Sequence, residues 1–188
     1  RAGPAIPATR RSSPRAGSMM ATTIVFATTK KVISRLIRWV TRSRVSHATL
    51  CIELSGVPLI LEATTGGVRV IPRVKWQADH ILVAEFRPAA DLTTGLHDAL
   101  THIGDAYDYV GLFGYFWVLL GRRMGRKFRN PLASEKGMIC SEFVMHLDVD
   151  GAIAEWKDLD WEATTPEDLL KICEASQASF ARISAPPA

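Results

Sequence analysis

The stretch "SHATLCIELSGVPLILEATTGGVRVIP", residues 46–72, constrains the fold more than any other part of this chain. Two apolar runs rich in β-branched residues flank Ser55-Gly56, and a third follows Gly66-Gly67. Small residues of this kind accept the positive backbone angles of a tight hairpin turn, so the pattern predicts an antiparallel meander of about 45–54, 57–64 and 67–72. With a two-residue turn at Ser55-Gly56, Leu54 faces Val57 and paired positions sum to 111. Thr49 then stands opposite Glu62, and His47 opposite Thr64. His47 and Thr49 share one face of the strand, so Glu62 becomes the diagonal neighbour of His47, with Cβ atoms about 7 Å apart. That relation depends on register, because a slip of one residue sends Glu62 to the other face. The competing reading is a solvated edge-strand glutamate, and Thr49 and Thr64 are the weaker candidates for orienting His47.

Around the meander, "ATTIVFATT" (21–29) and "HILVAEFRP" (80–88) read as strands, and "SFARIS" as a last one. Val32, Ile33, Leu36, Ile37 and Val40 have helical spacing within 30–44, with basic residues between them. Leu92, Leu96, Leu100 and Ile103 predict a helix over 91–107. "CSEFVMHLDV" (140–149) reads as a short helix with Phe143, Val144 and Leu147 spaced for burial. "TTPEDLLKICEASQ" carries a clear helix start: Thr165 as cap, Pro166 at the first position and acids in the first turn. Antiparallel hairpins mixed with helices give the class α+β.

A chain of 188 residues suits one domain, expected over 21–188. With 47% hydrophobic and 22% charged residues, wholesale disorder and a membrane protein are both excluded as readings. Residues 1–20, rich in Arg, Pro, Ser and Gly, read as a disordered extension or one foreign to the chain, and they lack the apolar core of a secretory signal. That leans toward a cytoplasmic or phage-encoded protein. The longest apolar run, Tyr109 to Gly121, is too short to span a bilayer. Cys51, Cys140 and Cys173 show no paired spacing, so neither a disulfide framework nor a zinc site is expected.

Cys140 is where chemistry enters. A free cysteine is commonly a small buried hydrophobe. At a helix start, however, free amides and the positive dipole end favour thiolate over thiol. The backbone amides of Cys140 and Ser141 are then placed to hold an oxyanion. Both readings stay open on this residue alone. A cysteine nucleophile needs a base, and His47, a polar ring at the mouth of an otherwise apolar strand, is the candidate. Glu62 would hold its tautomer and stabilise its cation. His97 and His102 lie five apart on one helix, His146 lies more than a turn and a half beyond Cys140, and His80 opens a strand without an obvious partner. All four read as surface or satisfied polar residues.

"SRLIRWVTRSRVSHATLCIE", "LEATTGGV", "GDAYDYVGL", "CSEFV" and "TTPEDLL" follow one another in the order of landmarks in NlpC-type papain-like hydrolases. The order His before Cys is similar to the circularly permuted branch, which includes YiiX-like proteins and the lecithin retinol acyltransferase group. The resemblance runs from about residue 22 to 172. It implies a papain-like α+β fold in which a helix carrying the nucleophile packs on an antiparallel sheet carrying the base. Carried over, Cys140 matches the nucleophile, His47 the base and Glu62 the polar third residue. Tyr107 or Tyr109 matches a family tyrosine near the site, against the plainer reading of a core aromatic.

The segment from Val110 to Pro131 departs from the family pattern as an apolar and then basic insertion. It has three readings: a buried helix with a solvated basic end, the lining of an acyl pocket, or a peripheral membrane contact over 110–128. The last would use Arg122, Arg123, Arg126 and Lys127 with Phe116 and Trp117 at the boundary. Its basic signal is too local for nucleic-acid binding.

The expected function is a cysteine hydrolase that cleaves an amide bond, peptide, isopeptide or cell-wall peptide, through an acyl-enzyme on Cys140. It would need no metal and no organic cofactor. The alternatives are a lipid-directed acyltransferase or thioesterase at a membrane surface, and an inactive binding module of the same fold.

Overall fold

The computed structural model describes residues 22–64, 66–105, 121, 125, 140–161 and 163–184. Its centre is a six-stranded sheet in which every pairing is antiparallel. The strands are β1 (Thr22–Thr28), β2 (His47–Leu54), β3 (Val57–Thr64), β4 (Gly67–Pro72), β5 (Ile81–Pro88) and β6 (Phe180–Ser184), and their order across the sheet is β4-β3-β2-β1-β5-β6. The hairpin register is the one the turn residues predict: Leu54 faces Val57, and the ladder runs to Leu50 opposite Leu61. Ser55 (φ 52°) and Gly56 (φ 81°) both sit in the left-handed region, as a twist-matched two-residue turn requires.

Five helices are described: α1 (Val32–Thr41), α2 (Arg73–Trp76), α3 (Thr93–Thr101), α4 (Cys140–Met145) and α5 (Pro166–Ala175). The predicted cap of α5 forms a capping box. The Asp168 amide donates to Thr165 Oγ1 at 3.1 Å, and the Thr165 amide donates to Asp168 Oδ2 at 3.0 Å. Helix α4 packs on β2 and β3.

Alternation along the strands sorts the two faces of the sheet. Ile24, Phe26, Ala48, Leu50, Ile52, Leu61 and Phe86 meet Phe143, Val144, Leu147, Leu169 and Cys173 from the helices in the main core. The opposite face carries Val25, Ala27, Cys51 and Ile60 with Trp76 from α2. His47, Thr49 and Glu62 have the parity of this second face.

Three expectations are corrected. The helix predicted over 91–107 ends at Thr101, and Ile103 is 46% exposed instead of joining a buried stripe. The cause is backbone pairing with β4: Gly104 N–H donates to Val68 O at 2.9 Å, and Val68 N–H donates to Asp105 O at 3.0 Å. Gly104, at φ 96°, turns the chain off the helix axis to make these bonds. In α1, Val32 and Leu36 of the apolar stripe are exposed, and the helix stops when Arg42 takes a left-handed conformation. Residues 73–80, for which the sequence offered no element before the strand at His80, hold α2.

Candidate active site

The site begins with a strand entrance that is tied down on both sides. Ahead of β2, the Arg44 amide and the Ser43 hydroxyl donate to Glu167 Oε2 of α5 at 2.8 and 3.0 Å. Ser46 Oγ and Ser34 Oγ of α1 share a buried hydrogen bond of 2.6 Å. These contacts fix the backbone from which His47 projects.

His47 Nε2 and Glu62 Oε2 lie 2.8 Å apart. The diagonal relation across the hairpin thus becomes direct contact. Glu62 is not an edge-strand carboxylate in water: β4 lies outside β3, and Glu62 is fully buried. Arg69, directly opposite it on β4, donates to Oε1 from Nε at 2.9 Å and from an Nη at 2.7 Å. Trp76 Nε1–H of α2 donates to Oε2 at 2.9 Å. Burial alone would raise the Glu62 carboxyl, but the His47, Arg69 and Trp76 contacts outweigh it and bring it down to about 2. Thr49 and Thr64, the alternatives for orienting His47, bond to the carbonyls of Leu61 and Gly67 instead.

Nε2 being committed to Glu62, Nδ1 is the nitrogen left for the sulfur of Cys140, with which the His47 ring is in hydrogen-bond contact. Burial lowers the imidazole's affinity for a proton, yet the Cys140 sulfur and the Glu62 carboxylate together push His47 up to about 10. The matching effect on Cys140 is downward: burial opposes ionisation, while His47 and the amides of Ala48 and Ser141 favour the thiolate. Cys51 and Cys173 move the other way, both raised chiefly by burial. Of the three thiols, Cys140 is also the one not fully buried. The Ser141 amide, expected as an oxyanion donor, thus bonds to the sulfur in this arrangement. Tyr107, Tyr109 and nearly all of the 110–131 segment lie outside the described residues.

His80, expected as a surface or satisfied polar residue without an obvious partner, is satisfied, and its partner is Trp76. Its ring stacks on Trp76 at 4.4 Å and 4°, lies 5.6 Å from the His47 ring, and its Nδ1 bonds to Trp76 O at 3.0 Å. His47, Glu62 and His80 are close enough to share a cation. The donor set fits one poorly, however, because Glu62 already accepts from His47, Arg69 and Trp76 on both of its oxygens. An ion would have to displace those bonds.

The residues missed in the sequence are Arg69, Trp76 and His80. Arg69 was within reach, since a two-residue turn before Gly67 sets Arg69 opposite Glu62. Nothing in the pattern around Trp76 marked it as a donor to a buried carboxylate. A second polar network on the same face joins Arg73 to Glu85 through two bonds of 2.8 and 2.7 Å, with Thr23 Oγ1 donating to Glu85 at 2.7 Å. No described helix is long and apolar enough to cross a membrane.

No protein-family model matches this chain, and no curated protein matches its sequence. Among solved structures it is similar to the metalloprotein YiiX from Escherichia coli O157:H7, with a TM-score of 0.54 and 18% identity over 89% of this chain and 98% of that one. Likeness at that identity bears on the fold, and the fold of this chain is YiiX-like: α+β around a six-stranded antiparallel sheet.

Proposed function

We propose that the chain is a circularly permuted papain-like hydrolase of the NlpC type, cleaving an amide bond through an acyl-enzyme on Cys140. The observation that carries this reading is one contact chain, Cys140 to His47 to Glu62, that lowers one thiol while burial raises the other two. In the resting site Cys140 is the thiolate and His47 the imidazolium, held by a carboxylate that stays ionised. The sulfur attacks the carbonyl carbon, forming a C–S bond and sending the carbonyl electrons to oxygen. Collapse expels the amine, which leaves with the proton from His47. Neutral His47 then takes a proton from water, the hydroxide attacks the thioester, and the acid departs as the thiolate–imidazolium pair is restored. Glu62 keeps the ring oriented and its cation favourable throughout.

Supporting the fold half of this proposal are the order His47, Glu62, Cys140 along the chain and the packing of α4 on the strands that carry the other two. The description of the similar YiiX structure as a metalloprotein favours a second reading, a cation held by His47, Glu62 and His80. The hydrogen bonds already made by Glu62 rank it below the thiol reading.

The test is the rate of iodoacetamide alkylation at each cysteine over a pH series, in wild type and in His47→Ala. Cys140 is expected to react fastest at neutral pH, with an apparent pKa below the ordinary thiol value of 9. That advantage should vanish in the variant. If Cys140 reacts no faster than buried Cys173, the hydrolase reading fails.

A further inference from the structure

Two histidines that this reaction leaves unused meet an aspartate on the helices beyond the sheet. Asp98 lies on α3 and His102 one turn later, still in helical conformation just past the helix's last residue, so they share a face. His146 opens the 3-10 turn, His146–Asp148, that follows α4. Gly95 lets the two elements touch: a Cβ there would lie 1.8 Å from Leu147 O, a clash with backbone that no side chain can relieve. This close approach brings the rings of His102 and His146 to 5.7 Å.

The spacing is informative. Asp98 Oδ2 is 3.7 Å from His102 Nε2 and 3.5 Å from His146 Nδ1, and one ligand atom from each residue lies within 4.8 Å of the others. Those separations are long for hydrogen bonds. They are close to the edge of a coordination tetrahedron, since metal bonds of about 2.0–2.1 Å put neighbouring ligands roughly 3.4 Å apart. His102 is also oriented as a ligand should be. Its Nδ1–H donates to Asp105 Oδ2 at 2.8 Å, which leaves the Nε2 lone pair facing Asp98. The His146 ring is set edge-on to Trp161 at 5.3 Å. Asp98, His102 and His146 are all partly exposed, so an ion can enter and a water can complete the shell.

We propose that Asp98, His102 and His146 form a zinc site with solvent as the fourth ligand, oriented by Asp105 and clamping the C-terminal end of α3 to the 3-10 turn that follows α4. Two imidazoles and one carboxylate are a donor set suited to zinc. The site stands whether or not the hydrolase reading holds, because it shares no residue with it.

Zinc alone, titrated calorimetrically into the full chain, tests it. A single ion should bind to wild type, to Cys140→Ser and to His47→Asn alike. His102→Asn and His146→Asn should weaken binding by at least about two orders of magnitude, and Asp105→Asn by roughly 10–100-fold. Zinc at about a hundredfold excess over its Kd should raise the Tm by roughly 5–10 °C, reversed by EDTA. His146→Gln, closer in volume, guards against a folding defect and should lose binding as well. Absence of zinc binding at micromolar concentrations, equal affinity in the His102 and His146 variants, or loss of binding in Cys140→Ser would each overturn the proposal.

Discussion

Among the described residues, imidazoles gather around Glu62 and around Asp98, and these two clusters are built on opposite plans. At His47 and Glu62 the separation is 2.8 Å, the carboxylate is fully buried, and Arg69 and Trp76 fill its remaining acceptor positions. At Asp98, the nearest ring nitrogens stand off at 3.5 and 3.7 Å, and the carboxylate is 42% exposed. The first arrangement leaves no room between its members. It can hold a charge in the interior only because every lone pair of Glu62 is met, which is the condition for burying an ion without a large penalty. The second leaves gaps of 3.5 and 3.7 Å between carboxylate and ring nitrogens and keeps its solvent access open. One geometry suits moving and stabilising a proton, the other holding a cation, although the residue types are nearly the same.

The sharpest way to separate the two is to change Glu62. Glu62→Gln keeps the volume, but its single carbonyl oxygen can replace only one carboxylate oxygen, so it keeps either the Arg69 bonds of Oε1 or the Trp76 and His47 bonds of Oε2, and it removes the charge that favours the imidazolium. With a weaker imidazolium, Cys140 holds its proton longer. We expect the alkylation rate of Cys140 at neutral pH to fall by roughly a hundredfold, about two pKa units of lost pairing. Zinc affinity at Asp98 should not change, and His146→Asn should give the reverse pattern. A Glu62→Gln protein that alkylates like wild type would remove Glu62 from the site.

Acid titration comes next in size. The Glu62 carboxyl is lowered from 4.5 to about 2 in the fold. Below pH 4.5 the unfolded chain takes up a proton that the folded chain refuses, so stability falls as pH falls. The contribution is present in full above pH 4.5 and is lost as pH drops through about 2. It amounts to something on the order of 2–3 kcal/mol. Denaturant midpoints of wild type and Glu62→Gln, measured from pH 6 to 2, should therefore converge toward the acid end. Parallel curves would mean that Glu62 is not held ionised.

The two groups also differ in how far they can be read from sequence. Glu62 is legible because a hairpin converts sequence into geometry. Once Ser55-Gly56 is taken as the turn, every cross-strand neighbour follows, and the structure has that register. Arg69 follows from the next turn by the same arithmetic. Trp76 does not, because its position depends on α2 folding back over the sheet, and no periodicity encodes that. The histidines at 102 and 146 lie further still from any local rule. They meet through the approach of α3 to the turn after α4, set by the missing side chain of Gly95. A glycine within a helical pattern is a mild anomaly, and its partner is visible only in three dimensions. Ile103 failed as a core position for a related reason: its helix yields to backbone pairing with β4, a long-range bond that outcompetes the helical periodicity.

The smallest effect probes Trp76, which serves the buried group in two ways. Its Nε1–H donates to Glu62 at 2.9 Å, and its ring stacks on His80 at 4.4 Å. Trp76→Phe retains an aromatic face for His80 and deletes the donor. A hydrogen bond to a charged acceptor contributes about 1.5–3 kcal/mol when made, but Glu62 keeps His47 and Arg69, so a net loss of about 1 kcal/mol is expected. Removing a donor to Oε2 also makes the carboxylate a better acceptor for His47, the neighbour on that same oxygen. The imidazolium is then held at least as well as before, and Cys140 alkylation should stay within about twofold of wild type. A large fall in alkylation with little loss of stability would show that Trp76 positions His47 through Glu62. In that case the buried group reaches one residue further than its direct contacts with the sulfur.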